Sequence, residues 1–198
     1  MNFIFDIGNV LIDFKPEQFL REILNDPQSE QKINEIIFKS EEWVKLDEGL
    51  ITPQQACDNF CRRKPEYKEL IIKVMDKIPE MLTPMDETAG LLPKIKNLGH
   101  KLYYLSNYHK GLSRYIREKY SFFDLFDGGV FSCDIHMIKP SPDIYRYFLN
   151  KYNLEPQDCV FFDDTAQNIK SAQKEGIKSV LFTGVGVLND YLKELDQK

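Results

Sequence analysis

The sequence predicts an α/β protein in which helices cover both faces of a parallel sheet and a small all-helical cap follows the first strand. Two observations predict this class. Short apolar runs alternate with helical patterns through most of the chain, and one long stretch near the N-terminus contains helical patterns only. Strands of parallel sheets are buried on both faces, so they are typically continuous apolar runs rather than alternating ones.

Four short apolar runs predict the buried strands of this sheet. In chain order they are Phe3–Phe5, Leu102–Leu105, Val160–Phe162 and Val180–Phe182. A fifth, weaker strand is predicted near Gly129–Phe131. Helical patterns separate these runs, and this alternation is typical of βαβ units.

Two polar-Pro pairs predict helix starts in the second half of the chain. Thr83-Pro84 and Ser141-Pro142 each offer an N-cap followed by proline at the first helical position. Apolar residues follow both pairs at helical spacing. Gly99 is expected to end the first of these helices and Pro93 to kink it.

Residues 15–79 contain no strand-like run and instead carry apolar pairs at helical spacing, such as Ile33 and Ile37. Thr52-Pro53-Gln54-Gln55 predicts a helix start with a capping box. An insertion after a strand's carboxyl end lies over the edge where α/β sheets bind ligands. We therefore predict a helical cap domain of residues 15–79 over a catalytic core of residues 1–14 and 80–198.

Composition narrows the classes of partner. The 198 residues include 26 basic and 31 acidic side chains, a net charge of −5, which disfavours a nucleic-acid-binding surface. No window of about 18 apolar residues predicts a membrane span, and the apolar N-terminus carries Asp6 and no basic region, unlike a secretory signal. The four cysteines match no zinc spacing. We expect a cytoplasmic protein, and no feature predicts an oligomeric state.

Polar side chains cluster at the predicted strand ends and in one loop between them. They are Asp6, Ser106-Asn107, Lys139 and Asp163-Asp164. The carboxyl ends of parallel strands meet at one edge of a sheet. If the first strand is central, we expect the three aspartates to converge there. Taken alone, Asp163-Asp164 would also suit a helix N-terminus.

Convergence of three carboxylates has an electrostatic cost that predicts a cation. At about 4 Å and an effective dielectric near 20, each like-charged pair costs roughly 4 kcal/mol. Either some of the acids are protonated, or cations balance them. Lys139 supplies one positive charge and leaves about −2, which one Mg²⁺ would cancel with its preferred oxygen ligands.

The same cluster suggests phosphoryl transfer. Mg²⁺ keeps coordination positions open for phosphate oxygens, and Ser106 and Asn107 add neutral donors. Gly8 and Asn9 offer backbone N–H groups in a tight turn. A carboxylate beside an anionic substrate and a cation can act as a nucleophile, which suggests phosphoryl transfer to Asp6.

Taken together, the chain resembles the haloacid dehalogenase-like hydrolase superfamily, whose four motifs it matches in order and spacing over nearly its whole length. The matching segments are Phe3-Ile4-Phe5-Asp6-Ile7-Gly8-Asn9-Val10-Leu11, Leu105-Ser106-Asn107, Lys139-Pro140, and Val160-Phe161-Phe162-Asp163-Asp164 with Asn168. Further likeness to the sugar-phosphate phosphatase subgroup that includes α-glucose-1-phosphate phosphatase lies in Gly8-Asn9-Val10, Asp47-Glu48-Gly49-Leu50-Ile51-Thr52 and Phe161-Phe162-Asp163-Asp164. The resemblance implies a Rossmann-like sheet with the first strand central.

The resemblance also implies roles for the clustered residues. Asp6 would be the nucleophile that forms an aspartyl-phosphate, which water then hydrolyses. Mg²⁺ would be bound by four residues: Asp6, the Gly8 carbonyl, Asp164, and Asp163 directly or through water. The phosphoryl oxygens would be held by Ser106, Asn107 and Lys139. The implied enzyme is a Mg²⁺-dependent phosphoric monoester hydrolase of a small phosphorylated metabolite, such as a sugar phosphate.

One position departs from the pattern of this superfamily's phosphatases. Most of them carry a second aspartate two residues after the nucleophile, as general acid and base, whereas this chain has Gly8. A positioned acid–base group typically contributes about 10² to 10⁴ in rate. Asp13 and His109 are the candidate substitutes, and a structural role is the alternative for each.

Two other functions compete with the phosphatase. A metal-free haloacid dehalogenase would use the same aspartate nucleophile, but the Asp163-Asp164 pair would add only repulsion to a site without metal. A catalytically weak pseudoenzyme or binding module is suggested by Gly8. A receiver-like binding module is disfavoured because its acidic pair would follow the first strand rather than the fourth.

Overall fold

A computed structural model describes the backbone of residues 1–196, with side chains up to residue 195. Five strands form one parallel sheet in the order β3-β2-β1-β4-β5. Their bounds are β1 Asn2–Phe5, β2 Lys101–Ser106, β3 Gly128–Phe131, β4 Cys159–Asp163 and β5 Lys178–Leu181. The predicted fold class is confirmed, and β1 is the central strand.

Eleven α-helices surround the sheet within residues 1–196. They are α1 Pro16–Leu24, α2 Pro27–Ile36, α3 Glu41–Asp47, α4 Pro53–Arg63, α5 Lys68–Met81, α6 Asp86–Ala89, α7 Leu92–Asn97, α8 Lys110–Lys119, α9 Pro142–Tyr152, α10 Ala166–Lys174 and α11 Val185–Asp196. Short 3₁₀ turns cover Pro65–Tyr67, Ser121–Leu125, Ser132–Asp134 and Pro156–Asp158. Among these described residues, no helix has both the length and the apolar composition needed to cross a lipid bilayer.

Alternating side chains of the central strand build two apolar layers. Phe3 and Phe5 point to one face, where the Phe5 ring stacks on Phe162 at 5.3 Å between centroids. Ile4 points to the other face and packs in a second cluster that includes Phe161. Because both faces of the sheet are buried, the sequence of this strand is one continuous apolar run.

Helices α1 to α5 follow β1 with no strand among residues 15–79, as the sequence predicts. The chain enters and leaves this helical segment along two adjacent stretches. Ile12 bridges to Pro84 in antiparallel fashion, and the Asp13 and Met85 N–H groups donate to the Thr83 and Leu11 carbonyls, both at 2.8 Å. The division into a cap and a core remains a prediction.

Two local predictions differ from the structure. Thr83-Pro84 does not begin a helix, because Pro84 pairs with Ile12 and α6 starts only at Asp86. The last strand begins at Lys178 rather than Val180. It is an edge strand with exposed residues at both ends, so the apolar run marks only part of it.

Other helix signals are confirmed. Gly99, at φ +80°, follows the last turn of α7, a conformation that favours glycine. The Ser141 side chain accepts from the Asp143 N–H and caps α9. Thr52 and Gln55 form the predicted capping box of α4: Thr52 Oγ1 accepts from the Gln55 N–H, and Gln55 Oε1 accepts from the Thr52 N–H.

Replacing Thr52 with alanine should lower the free energy of unfolding by about 1 kcal/mol, because the cap of α4 is lost. Thr52→Ser keeps the hydroxyl and is the matched control. Urea unfolding of the three proteins measures the effect. Equal stability of the wild type and Thr52→Ala would contradict the capping role.

Candidate active site

The ends of the three central strands place polar residues at one edge of the sheet. Phe5 of β1 is level with Tyr104 of β2 and Phe162 of β4. Asp6 therefore lies next to the ends of both neighbouring strands, where Ser106 and Asp163 stand. Asp6 and Ser106 border a cavity of about 210 Å³, and the fully buried Asp163 lies behind them. The cavity is lined by Asp6, Gly8, Asn9, Phe14, Trp43, Asp47, Ser106, Asn107, Tyr108, His109, Leu112, Lys139, Asp164, Thr165 and Asn168.

Asp6 is 8% exposed and held through one oxygen. Its Oδ1 accepts from the Ile7 N–H at 2.8 Å and from the Ser106 hydroxyl at 2.5 Å, and lies 2.9 Å from Lys139 Nζ. Oδ2 has no hydrogen-bond partner within the described chain. Burial raises the pKa of Asp6 to about 7, although Lys139 opposes this shift and Asp163 reinforces it.

Lys139 is a buried cation shared between two carboxylates. Its Nζ lies 2.6 Å from Asp163 Oδ2 as well as 2.9 Å from Asp6. Burial alone would lower the pKa of Lys139, but the two carboxylates outweigh it and raise the pKa above its usual value. Lys139 therefore stays charged and joins β1 to β4.

Asp163 is fully buried, and both of its oxygens are occupied. Asn168 donates to both of them at 3.0 Å, and the Thr165 N–H donates to Oδ1 at 2.8 Å. With Lys139 on Oδ2, the carboxylate is surrounded by donors. Asn168 is thus a supporting residue on the first turn of α10, and its spacing after Asp163 is the signal that marks it in the sequence.

Asp164 is the most exposed of the three aspartates and contacts the loop after β1. Its Oδ2 accepts from Asn9 Nδ2 at 3.0 Å, and its Oδ1 from the Thr165 hydroxyl at 3.3 Å. Asn9 has φ +54°, a left-handed conformation that asparagine tolerates. This turn brings the loop after β1 to the end of β4.

Asn107 braces the segment that carries Lys139. Its Nδ2 donates to the Lys139 carbonyl, and its Oδ1 accepts from the Lys139 N–H, both at 2.9 Å. The side chain is therefore engaged by the backbone of another loop. The backbone N–H of Asn107 and the second N–H of its amide are the donors left for a phosphate contact.

The donor set fits a divalent cation. Asp6, Asp163 and Asp164 each offer a carboxylate oxygen within 4.8 Å of the others. Three carboxylates and the Lys139 ammonium sum to a charge of −2 when all are ionised. Oxygen ligands at this spacing suit a hard divalent ion such as Mg²⁺.

Gly8 has room for a side chain. A Cβ added there would meet only the Phe14 Cβ, at 3.9 Å, an ordinary van der Waals distance. The missing aspartate at this position therefore does not follow from crowding.

The helical segment contributes part of the cavity wall through Trp43, beside Phe14, which precedes the segment. The two rings add aromatic surface, with centroids 6.0 Å apart. Tyr108 adds a buried hydroxyl that lacks a hydrogen-bond partner in the described part of the chain. An unsatisfied buried hydroxyl is costly, so a ligand oxygen or a water at this wall would be stabilised.

Asp47 also lines the cavity, and the sequence motifs predict no role for it. Burial raises its pKa to about 8, with a further increase from the charge of Asp6. The His109 backbone N–H and Lys139 oppose the shift. Asp47 lies at the end of α3, far in sequence from the four motifs, so only tertiary structure brings it to Asp6.

The two candidate substitutes for the missing acid lie differently. Asp13 is outside the cavity lining and pairs with Lys15 at 2.6 Å. His109 lines the cavity, but its Nδ1 accepts from the Leu112 N–H and caps α8. Burial lowers the pKa of His109 to about 4, so its imidazole is neutral at pH 7 and holds no acidic proton to donate.

Comparison with known proteins agrees with this arrangement. A family model described as a haloacid dehalogenase-like hydrolase matches residues 1–176. A sesquiterpene phosphatase, astK, from Aspergillus oryzae is 26% identical over 91% of this chain and 88% of its own length. A phosphorylated carbohydrates phosphatase from Thermotoga maritima is 27% identical, with 94% of this chain and 86% of its own length covered.

Solved structures share the fold at low identity. A HAD family enzyme from Bacteroides thetaiotaomicron, in complex with magnesium and inorganic phosphate, aligns with a TM-score of 0.68 at 21% identity, over 91% of this chain and 92% of that one. An L-2-haloacid dehalogenase from Xanthobacter autotrophicus, with chloropropionic acid covalently bound, aligns with a TM-score of 0.67 at 15% identity. The alignment covers 91% of this chain and 76% of that one.

Replacing Lys139 with methionine should destabilise the folded protein, because the repulsion between the buried carboxylates is then no longer balanced. Loss of one partner from a buried charge cluster costs about 3 to 5 kcal/mol. We expect that drop in the free energy of unfolding without divalent metal, and partial recovery on adding MgCl₂.

The matched control is Lys110→Met, which removes an exposed lysine at the start of α8. Urea unfolding with EDTA and with MgCl₂ makes the comparison. Equal stability of Lys139→Met and Lys110→Met in EDTA would contradict the charge-balancing role.

Proposed function

The chain belongs to the haloacid dehalogenase-like hydrolase family, and we propose that it is a Mg²⁺-dependent phosphatase of small phosphate monoesters with Asp6 as the nucleophile. The observation that carries this proposal is the convergence of Asp6, Asp163, Asp164 and Lys139 in one cluster beside the cavity. The phosphatases among its relatives support the same reaction class.

In this proposal one Asp6 oxygen attacks phosphorus and forms an aspartyl-phosphate, which water then hydrolyses. The Ile7 N–H, Ser106 and Lys139 all hold Oδ1, so the carboxylate has a fixed orientation before substrate arrives. Such positioning is a large part of phosphoryl-transfer catalysis. Lys139 restrains the nucleophile while remaining charged.

Mg²⁺ would be held by Asp6, Asp164 and the Gly8 carbonyl, with Asp163 behind them. Since Lys139, Asn168 and Thr165 already occupy both Asp163 oxygens, contact between Asp163 and the ion through water is favoured. When bound, the ion supplies positive charge that offsets the carboxylates and the phosphoryl group.

Three groups would bind the phosphoryl oxygens: the Ser106 hydroxyl, the Asn107 backbone N–H and the Lys139 ammonium. Ser106 donates to Asp6 in the absence of substrate, so its proton is already directed at the reacting centre. A charged donor and neutral donors at this edge suit a dianionic group.

The cavity favours a small leaving group. Its volume of about 210 Å³ suits a small ester, and Phe14 and Trp43 are among the residues that line it. A sugar phosphate remains our preferred substrate, supported by the Thermotoga relative. Aromatic faces can pack against the C–H face of a sugar ring.

The dehalogenase alternative fits the charges less well. A metal-free site would bury Asp163 and leave Asp164 beside it with Lys139 as the balancing side chain. Hydrolysis of 2-chloropropionate in EDTA would favour that reaction over the phosphatase.

Phosphate release from 4-nitrophenyl phosphate should require MgCl₂ and be abolished by EDTA. Asp6→Asn should reduce turnover to background, because the amide cannot form the covalent intermediate. Asp13→Asn, which removes a carboxyl outside the cavity, should retain activity. Turnover of Asp6→Asn equal to that of Asp13→Asn would refute the nucleophile assignment.

Asp164→Asn should weaken metal binding, since it removes a carboxylate ligand without changing size. The MgCl₂ concentration for half-maximal activity should rise at least about tenfold. A titration of both proteins with MgCl₂ tests this, and an unchanged half-maximal concentration would exclude Asp164 as a ligand.

A further inference from the structure

We propose that Asp47, from the helical segment, is the general acid and base that replaces the aspartate missing at Gly8. The inference rests on the proposed phosphatase function and adds a catalytic residue to it. The position that most phosphatases of this superfamily fill with an acid is Gly8 here, and Asp47 lines the same cavity as Gly8.

Asp47 lines the same cavity as the proposed nucleophile. Asp6 reaches this cavity from the end of β1 and Asp47 from the end of α3. The charge of Asp6 contributes to the raised pKa of Asp47. The leaving group of a phosphate ester bound at Asp6 would occupy this cavity, which Asp47 lines.

Hydrogen bonds to backbone carbonyls fix the position of Asp47 relative to the residues that follow β3. Its carbonyl accepts from the Ser132 hydroxyl, and Ser132 Oγ also accepts from the Tyr108 N–H at 3.0 Å. The next carbonyl, of Glu48, is 2.8 Å from His136 Nδ1. These contacts fix Asp47 relative to the ends of β2 and β3, as a catalytic group requires.

Gly49 makes this attachment possible. It has φ +71°, and a Cβ there would lie 2.4 Å from the Cys133 carbonyl oxygen. Only glycine permits both the left-handed turn and the close approach. The loop after Asp47 therefore packs closely against the turn that follows β3.

Burial raises the pKa of Asp47 to about 8, which favours the protonated carboxyl near neutral pH. Desolvation and the Asp6 charge favour the neutral acid, while Lys139 and the His109 N–H favour the anion less strongly. The His109 imidazole is neutral and adds no charge. Asp47 has no side-chain salt bridge in the described part of the chain, so its proton is available for transfer.

An Asp6 oxygen forms a bond to phosphorus while the bond from phosphorus to the leaving oxygen breaks, and that oxygen takes the proton of Asp47. The Asp47 carboxylate then accepts a proton from the water that attacks the aspartyl-phosphate. Phosphate leaves, and Asp6 as a carboxylate and Asp47 as an acid are regenerated.

The test compares two phosphate monoesters of similar size, 4-nitrophenyl phosphate and benzyl phosphate. The organic group of neither ester carries a further hydroxyl. Nitrophenolate leaves without a proton, whereas benzyl alcohol needs one. Asp47→Asn should lower kcat for benzyl phosphate by about 100-fold or more. It should lower kcat for 4-nitrophenyl phosphate less than about tenfold, because proton donation contributes little there.

Glu48→Gln is the matched control, because Glu48 is the adjacent acid and lies outside the cavity lining. It should leave both rates unchanged. Equal losses for the two esters in Asp47→Asn, or no loss for benzyl phosphate, would overturn the role of Asp47. Failure of the wild type to hydrolyse 4-nitrophenyl phosphate would instead refute the phosphatase proposal, so the two failures are distinguishable.

A second variant guards against a merely structural effect. Gly8→Asp places an acid where the backbone has space, with Phe14 Cβ 3.9 Å from the new Cβ. In the Asp47→Asn background it should restore benzyl phosphate hydrolysis at least about tenfold. A double variant as slow as Asp47→Asn would contradict loss of a proton donor as the defect.

Discussion

The sharing of one buried ammonium between two buried carboxylates is the interaction on which the site depends. Lys139 joins Asp6 to Asp163 across the boundary of two strands. Its charge balances only part of the acidic cluster when all three carboxylates are ionised, and the remaining negative charge suits a divalent ion. Asn168, Asn107 and Ser106 then fix these charged groups in place.

Much of the fold could be predicted because its signals are local. Strands such as Phe3–Phe5 are buried on both faces and appear as apolar runs, and Thr52 and Ser141 mark helix starts through their own side chains. Thr83-Pro84 carries the same signal but forms a bridge with Ile12. A contact with a distant segment decides that conformation, and no local pattern contains it.

The candidate site also has residues that the sequence predicts and residues that it does not. The proximity of Asp6, Ser106 and Asp163 could be predicted from the sequence, because the carboxyl ends of parallel strands lie at a common edge of the sheet. Asp47 could not, because a helical insertion has no comparable rule that fixes its orientation over the sheet. The engagement of the Asn107 side chain by the Lys139 backbone likewise becomes visible only in three dimensions.

The contact of Ser132 with Asp47 bears on how the helical segment can move. The chain enters and leaves this segment where Ile12 pairs with Pro84, and the carbonyls of Asp47 and Glu48 contact Ser132 and His136 after β3. A movement that lifted the helical segment from the edge of the sheet would have to break the two contacts at Ser132 and His136, whereas the pairing of Ile12 with Pro84 could persist.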